Sequence, residues 1–332
     1  MTSSSPPLIS AHPDPIATWI KRVAVLLSTA IVAVAGAGTV LGFAARHSWR
    51  LELAAHFRVQ YFWALVAAMI ILALARRKVM ALVAATLAMT NLALIAPLYF
   101  GPAPRADAGP PLRAISFNVH YLNEDYAATI ELIVTELPDF VLLLEVTPEW
   151  AEALTFLKVD YPYEHVMAKA GSGGMAFYSR REITDLSVHE LADVGQSTIV
   201  VGLAVPVDRL TLVCTHLVSP RTAHDFENRN RQLEEVGQLA RARSGAVMLL
   251  GDLNTTSWSP YFQDLLTNSG LRDSRRGFGV EPSWPWLTTP LLRIPIDHCL
   301  VSAAVSVLDR RIGPAVGSDH RPLLVDFAIT AP

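Results

Sequence analysis

The chain has 332 residues, a net charge of −3, 52 % hydrophobic and only 17 % charged side chains, whereas an average soluble chain is about one-quarter charged. The shortfall is local: residues 1–104 carry eight basic and two acidic side chains, and residues 105–332 carry 19 basic and 28 acidic ones. That balance excludes a disordered chain, a collagen-like repeat and a disulfide scaffold. The acidic body also disfavours a nucleic-acid partner, because a polyanion is met by surplus Lys and Arg.

Three uncharged stretches come first, at residues 23–45, 59–75 and 79–100. Crossing a hydrocarbon core of roughly 30 Å takes about 20 apolar residues. The first and third runs suffice, and the second is borderline. A cleaved signal peptide would need one such run and a small-residue cleavage site, which no segment before the second run supplies. The expectation is a cytoplasmic tail over 1–22, three transmembrane helices within 23–100, and a stiff Pro/Gly-rich linker over 101–111. Lys21, Arg22 and the Arg76-Arg77-Lys78 turn assign their side to the cytoplasm. The intervening loop carries Arg46, Arg50 and Arg58, diluted by Glu52. An odd number of spans then places the body outside the cytoplasm, at the cell membrane.

Within the body, residues 112–332, strand-like runs alternate with helical patterns. Strands are expected at 112–119, 140–144, 174–178, 197–205, 210–216, 246–250, 297–301 and 323–329, and helices at 126–136 and 226–242. Many strands with a few interspersed helices point to an α/β or α+β sandwich. Cys214 and Cys299 each sit inside an apolar strand and read as buried thiols, with a disulfide between them the alternative.

The informative residues are polar groups where apolar runs end: Asn118, Glu145, His216, Asp252 with Asn254, Asp297, and Asp319 with His320. One carboxylate at a strand end is ordinarily a cap or turn residue. Six such places in one domain, all drawn from Asn, Asp, Glu and His, point to a site. Oxygen donors of this kind suit Mg²⁺, or Mn²⁺, whereas zinc would draw more His or Cys.

Phe117-Asn118, Leu144-Glu145, Thr215-His216-Leu217, Gly251-Asp252-Leu253-Asn254, Ile296-Asp297-His298 and Ser318-Asp319-His320-Arg321-Pro322 resemble the ordered motifs of the endonuclease/exonuclease/phosphatase superfamily. The resemblance covers nearly all of 112–332. It implies a four-layer α/β sandwich, of DNase I-like type, with a divalent metal at the strand ends. Residues 254–261, Ser283-Trp284-Pro285 and residues 293–298 further resemble a membrane-anchored bacterial branch that includes the VanJ-type proteins linked to teicoplanin resistance. One position departs from the abasic-site endonucleases, which carry an acid two residues after the Asn where this chain has His120. Their full metal shell is therefore not carried over.

Chemistry assigns provisional roles. Phosphate-ester cleavage needs an oriented water, neutralised phosphoryl oxygens and a proton for the leaving group. Asp252 is the candidate base, and Asn254 a donor to the phosphoryl group from the same face. Glu145 leads the metal ligands, with Asn118 and Asp319 supporting. His216 serves the leaving oxygen, as the resemblance implies, and His320 donates to the phosphoryl group while Asp297 orients it. Tyr178 is either a core tyrosine or a phosphate contact, and His298 is structural. The expected function is a metal-dependent phosphohydrolase acting on a phosphate-bearing envelope component, such as undecaprenyl pyrophosphate or another membrane lipid. An extracytoplasmic nuclease, a sphingomyelinase-like phosphodiesterase and a catalytically idle binding module are the alternatives.

Overall fold

A chain segment in an apolar surrounding must satisfy its backbone polar groups internally, and the uncharged N-terminal runs do so as helices. The computed structural model describes residues 15–105, 108–205, 209–285 and 290–330. Helix α1 spans Pro15–Leu41, α2 Trp49–Ala55, α3 Arg58–Leu74 and α4 Lys78–Ile95. Most of the expected tail, residues 1–14, lies outside the described residues, and Lys21 and Arg22 fall within the first two turns of α1. Two stretches, Pro15–His47 and Lys78–Tyr99, are long and apolar enough to cross a membrane. The count becomes three if α2 and α3, bent by 60° at their junction, form one broken span. Small side chains let the helices approach closely: Val32 and Ala35 of α1 pack with Leu65, Ala68 and Leu72 of α3 and with Ala81, Ala84 and Ala88 of α4. Helix α2 was read as loop in the sequence. It is short, capped by the Ser48 hydroxyl, and carries the buried Glu52.

The body begins with β1 (Leu112–Asn118), α5 (Tyr126–Glu136), β2 (Phe140–Leu144), α6 (Pro148–Ala153), β3 (Tyr163–Met167) and β4 (Met175–Ser179). It continues through β5 (Ile183–Glu190), β6 (Ser197–Ala204), β7 (Arg209–His216), α7 (Ala223–Arg241), β8 (Ala246–Asp252) and α8 (Pro260–Ser269). The last strands are β9 (Arg272–Asp273), β10 (Asp297–Val301), β11 (Val305–Ile312) and β12 (Leu323–Ile329). Among the described residues they form two six-stranded sheets, ordered β11-β12-β1-β2-β4-β3 and β5-β6-β7-β8-β10-β9. Each sheet has a single parallel pair near its centre, β1 with β2 and β7 with β8, and is antiparallel elsewhere.

Alternation of side chains along the strands builds the layers. Ala114, Leu142, Leu144, Leu212, Cys214, Met248, Leu250 and Cys299 face inward and join in one core between the sheets. Their neighbours face outward: Ile115, Val141 and Leu143 pack with Trp150 and Leu154 on one side, and Val213, Val247, Leu249 and Leu300 pack with Val236 and Phe262 on the other. The result is the expected four-layer α/β/β/α sandwich, with Cys214 and Cys299 free and buried in the centre. The expected linker is partly structured, since Ala108 bridges Thr330 and the Gly109 N–H donates to the Ile329 carbonyl at 2.9 Å.

Gly251 of β8 has φ +145° and lies against Thr215 of β7. A Cβ there would overlap the Thr215 carbonyl oxygen. Gly251→Ala is therefore expected to destabilise the full chain by about 3 kcal/mol or more, combining overpacking with backbone strain. Thermal unfolding in detergent checks this, and an unchanged midpoint would refute it.

Candidate active site

The inner faces of β7 and β8 are apolar until their last position, and that of β1 is interrupted only by Ser116. On β1 the parity of Ala114 leads to Asn118, on β7 that of Cys214 leads to His216, and on β8 that of Leu250 leads to Asp252. Strand β10 runs antiparallel to β8, so its first residue, Asp297, stands directly opposite Asp252. The polar ends of four inner faces are thereby gathered at one edge of the core. Glu145, just past β2 at φ +63°, and the turn Ser318-Asp319-His320 before β12 complete the ring.

Contacts within the ring are close. Asn118 Nδ2 donates to Glu145 Oε1 at 3.0 Å and approaches Asp252 Oδ2 at 3.4 Å. The Tyr121 N–H donates to Glu145 Oε2 at 3.1 Å. His216 Nε2 lies 3.6 Å from Asp252 Oδ2 and 3.9 Å from Glu145 Oε1. His320 stands between two carboxylates, with Nδ1 2.9 Å from Asp297 Oδ2 and Nε2 3.6 Å from Asp252 Oδ2. The Ser318 hydroxyl donates to the Asn118 carbonyl at 2.8 Å and accepts from the His320 N–H at 3.0 Å, which ties this turn to β1. A cavity of about 500 Å³ opens over the ring and is lined by Glu145, His216, Asp252, Asn254, Asp319 and His320.

Asn254 reaches the cavity by a different route from the one expected. Strand alternation does not carry it there, because β8 ends at Asp252 and Asn254 turns into the left-handed region at φ +49°. Its N–H donates to Asp252 Oδ1 at 2.9 Å and its side-chain amide to the Leu217 carbonyl at 2.8 Å. Tyr178 is 1 % exposed and packs in the outer core with Trp150, so the core alternative applies. His298 points to the opposite face from Asp297, with Nε2 2.8 Å from the Thr255 carbonyl and its ring against Phe262. Burial, helped by the Arg275 charge, lowers it to about 4.

One partner was missed: Trp284, whose Nε1 donates to Asp319 Oδ2 at 2.9 Å. The Ser283-Trp284-Pro285 motif was visible in the sequence, but nothing local there assigned the indole to a carboxylate 35 residues away.

Electrostatics separate the ionisable groups. Burial lowers the proton affinity of His320, but the Asp297 and Asp252 carboxylates outweigh it and raise this imidazole to about 10. At Asp297 burial pushes upward, and the His320 charge and hydrogen bond bring the carboxyl below its ordinary range. At Asp252 burial dominates, opposed by His320 and reinforced by Asp297, and lifts the carboxyl to about 8. Burial also lowers His216 despite the nearby Glu145.

Two oxygen-rich corners invite a cation. Asp252, Asp297 and His320 present ligand atoms within 4.8 Å of one another, but the raised imidazole means that a proton already supplies the positive charge there. Glu145 and Asp319 also line the cavity; Asp319 Oδ1 is buried without a hydrogen-bond partner, and carboxylate oxygens are the hard donors a divalent ion takes, while Asn118 turns its amide nitrogen toward Glu145.

The profile of the endonuclease/exonuclease/phosphatase family matches residues 115–320. The chain belongs to this family. Its members are phosphoester hydrolases, typically dependent on a divalent metal. No curated protein matches the sequence. Similar solved structures include an endonuclease/exonuclease/phosphatase from Beutenbergia cavernae, at 20 % identity and TM-score 0.56, covering 67 % of this chain and 72 % of that one. D. rerio TDP2 complexed with single-strand DNA product has 19 % identity and TM-score 0.56, with 66 % and 99 % covered. Sphingomyelinase C from Streptomyces griseocarneus has 18 % identity and TM-score 0.50, with 66 % and 99 % covered. At these identities the likeness establishes the shared fold.

The His320–Asp297 pair makes a sharp expectation. Asp297→Asn keeps the shape but removes the anion that offsets burial, so His320 loses its proton at lower pH. The alkaline limb of hydrolysis, set in the native chain by a group near 10, then moves down. His320→Ala should cost on the order of 10²-fold or more, and the double variant no more than that, because the two residues act as one unit. Rates against pH for all three variants check this; losses that multiply, or an unmoved limb, would break the pair.

Proposed function

We propose that the chain is a membrane-anchored, divalent-metal-dependent phosphohydrolase whose catalytic domain acts outside the cytoplasm on lipid-borne phosphate, with lipid-linked pyrophosphate the leading candidate. The observation that carries the lipid assignment is the path from cavity to membrane. Trp284, in the cavity wall, forms a β-bridge with Ile294. The neighbouring Arg293 carbonyl accepts a hydrogen bond from the Gln60 side chain of α3 at 2.9 Å. The Trp258 indole, just beyond Asn254, donates to the Leu94 carbonyl of α4 at 3.2 Å. A site with such short connections to the membrane helices suits a substrate whose tail stays in the bilayer.

Asp252 takes the proton of the attacking water. Its raised affinity places it near the working pH, where a general base is most effective. His320, cationic over the physiological range, donates to a phosphoryl oxygen and stabilises the charge that grows there. Asn254 offers the second hydrogen of its amide to the same group. His216 delivers the proton to the leaving oxygen, and an anionic phosphoryl group beside it offsets the burial that lowers its affinity. Glu145, Asn118 and Asp319 would hold the divalent ion, which when bound neutralises phosphoryl charge.

Orientation follows the same reading. Helix α3 lies between α1 and α4 with Trp63, Ile70 and Leu74 exposed on its outer side, which suits lipid contact and a third span. Lys21, Arg22 and Arg76–Lys78 then stay in the cytoplasm. The branch resemblance adds a part in teicoplanin resistance.

Purified full-length protein should release phosphate from polyprenyl pyrophosphate or phospholipid in the presence of Mg²⁺ or Mn²⁺, and EDTA should abolish release. Cleavage of DNA alone, lost in Asp252→Ala, would replace this reading with a nuclease. Glu145→Gln should lose activity through weaker metal binding and recover in part at raised Mg²⁺; a loss that no metal concentration relieves would make Glu145 structural. In cells, a reporter fused after Pro332 should be active only outside the cytoplasm, and teicoplanin sensitivity should be restored by Asp252→Ala.

A further inference from the structure

Beneath the Asp252–Asn254 turn, on the side away from the cavity, lies a buried charge pair contributed by two distant parts of the chain. Arg229 of α7 is fully buried, and Glu52 in the first turn of α2 is 1 % exposed. Arg229 Nη2 donates to Glu52 Oε2 at 2.5 Å, and its other arm, Nη1, donates to the Asn254 carbonyl at 2.8 Å. The remaining carboxylate oxygen, Glu52 Oε1, accepts from the Ser259 hydroxyl at 2.5 Å. One turn on, His56 Nδ1 lies 3.0 Å from Thr256 Oγ1. The loop at residues 254–259 is thus held directly at two points, Ser259 and Thr256, by the short membrane-proximal helix and its C-terminal turn, and at a third, the Asn254 carbonyl, through Arg229 of α7. Asn254 sits in the left-handed region at φ +49°, which asparagine adopts more readily than most other residues.

We propose that α2 is part of the catalytic apparatus: Glu52 is a positioning residue that, through Arg229 and the Asn254 carbonyl, fixes the turn carrying Asp252 and Asn254. The planar guanidinium fork is what allows one side chain to bridge a carboxylate and a carbonyl on separate elements, and a lysine ammonium does not present that fork. A buried ion pair gives little net stability compared with apolar packing, and its best-attested use is to set register. Here the register is that of a catalytic turn against the membrane head. The head is therefore more than a tether, and any displacement of α2 in the bilayer is transmitted to the site.

The kinetic part of this inference rests on the phosphohydrolase reading; the structural part does not. Glu52→Gln and Arg229→Lys are compared with the native chain, full length and in lipid nanodiscs, by hydrogen exchange, thermal unfolding and hydrolysis. Both variants should speed exchange at 253–257 while leaving β1 and β7 as protected as before. Both should lower kcat on the order of tenfold to a hundredfold with KM within about twofold, as misplaced catalytic groups do. The double variant should lose no more than the worse single one. Native exchange at 253–257 in both variants would overturn the proposal, as would faster exchange across the whole domain, which marks plain destabilisation. If the native chain cleaves no phosphate ester, the phosphohydrolase reading fails while exchange still decides the coupling. Should Glu52→Gln not assemble, Arg229→Lys carries the same readouts.

Discussion

Two carboxylates that face each other across a ladder inside a protein core repel, and a cation between them lowers the cost of charging either. Asp252 and Asp297 are paired in the β8–β10 register and both are 1 % exposed. The His320 ring lies between them and supplies that cation. The constraint reaches outward from there. His320 can stand at this point only because the Ser318 hydroxyl pins its turn to the end of β1, and β1 in turn carries Asn118, which donates to Glu145 and approaches Asp252. The two sheets are therefore joined at this edge by a polar network, where elsewhere they are joined by apolar packing.

Legibility from sequence follows burial. Strands β2, β10 and β12 and helix α5 have the expected bounds, because each is a run buried on both faces or a helix with a clear stripe. Strands β3, β5 and β11 were not anticipated. They are outer strands with mixed burial, and sequences such as Ile183–Glu190 and Val305–Ile312 interleave charges that a local reading assigns to loops. The site residues were visible for a physical reason: a polar group continuing the inner parity of an apolar strand has no role in the core, so its position is informative. Asn254 was found for the wrong geometric reason, since a turn and not the strand pleat delivers it. Trp284 as the partner of Asp319, and Glu52 as the partner of Arg229, are contacts across 35 and 177 positions. Nothing periodic marks such pairs.

The arginines of the α1–α3 connection show how structure refines a charge count. Arg46, Arg50 and Arg58 weaken the orientation signal when read as free charges on the outer side. Arg58 is in fact 1 % exposed and donates to the Thr39 carbonyl at 2.7 Å. Arg46 makes a two-point pair with Asp264 of the body, at 2.6 and 2.8 Å. Being half exposed, that pair adds at most about 1 kcal/mol to stability, but it neutralises the charge that topology counts. Two of the three outer arginines are thus spent on contacts within the protein. The basic residues that remain to be counted are weighted toward Lys21, Arg22 and Arg76–Lys78, the residues on which the proposed orientation rests. The head and the body bury charge against each other at Glu52 and Arg229, and separating such a buried pair leaves each ion unpaired at a cost of about 3–5 kcal/mol. A molecule assembled this way fixes its candidate site relative to the N-terminal helices, which is what the proposed action on a lipid-borne phosphate would use.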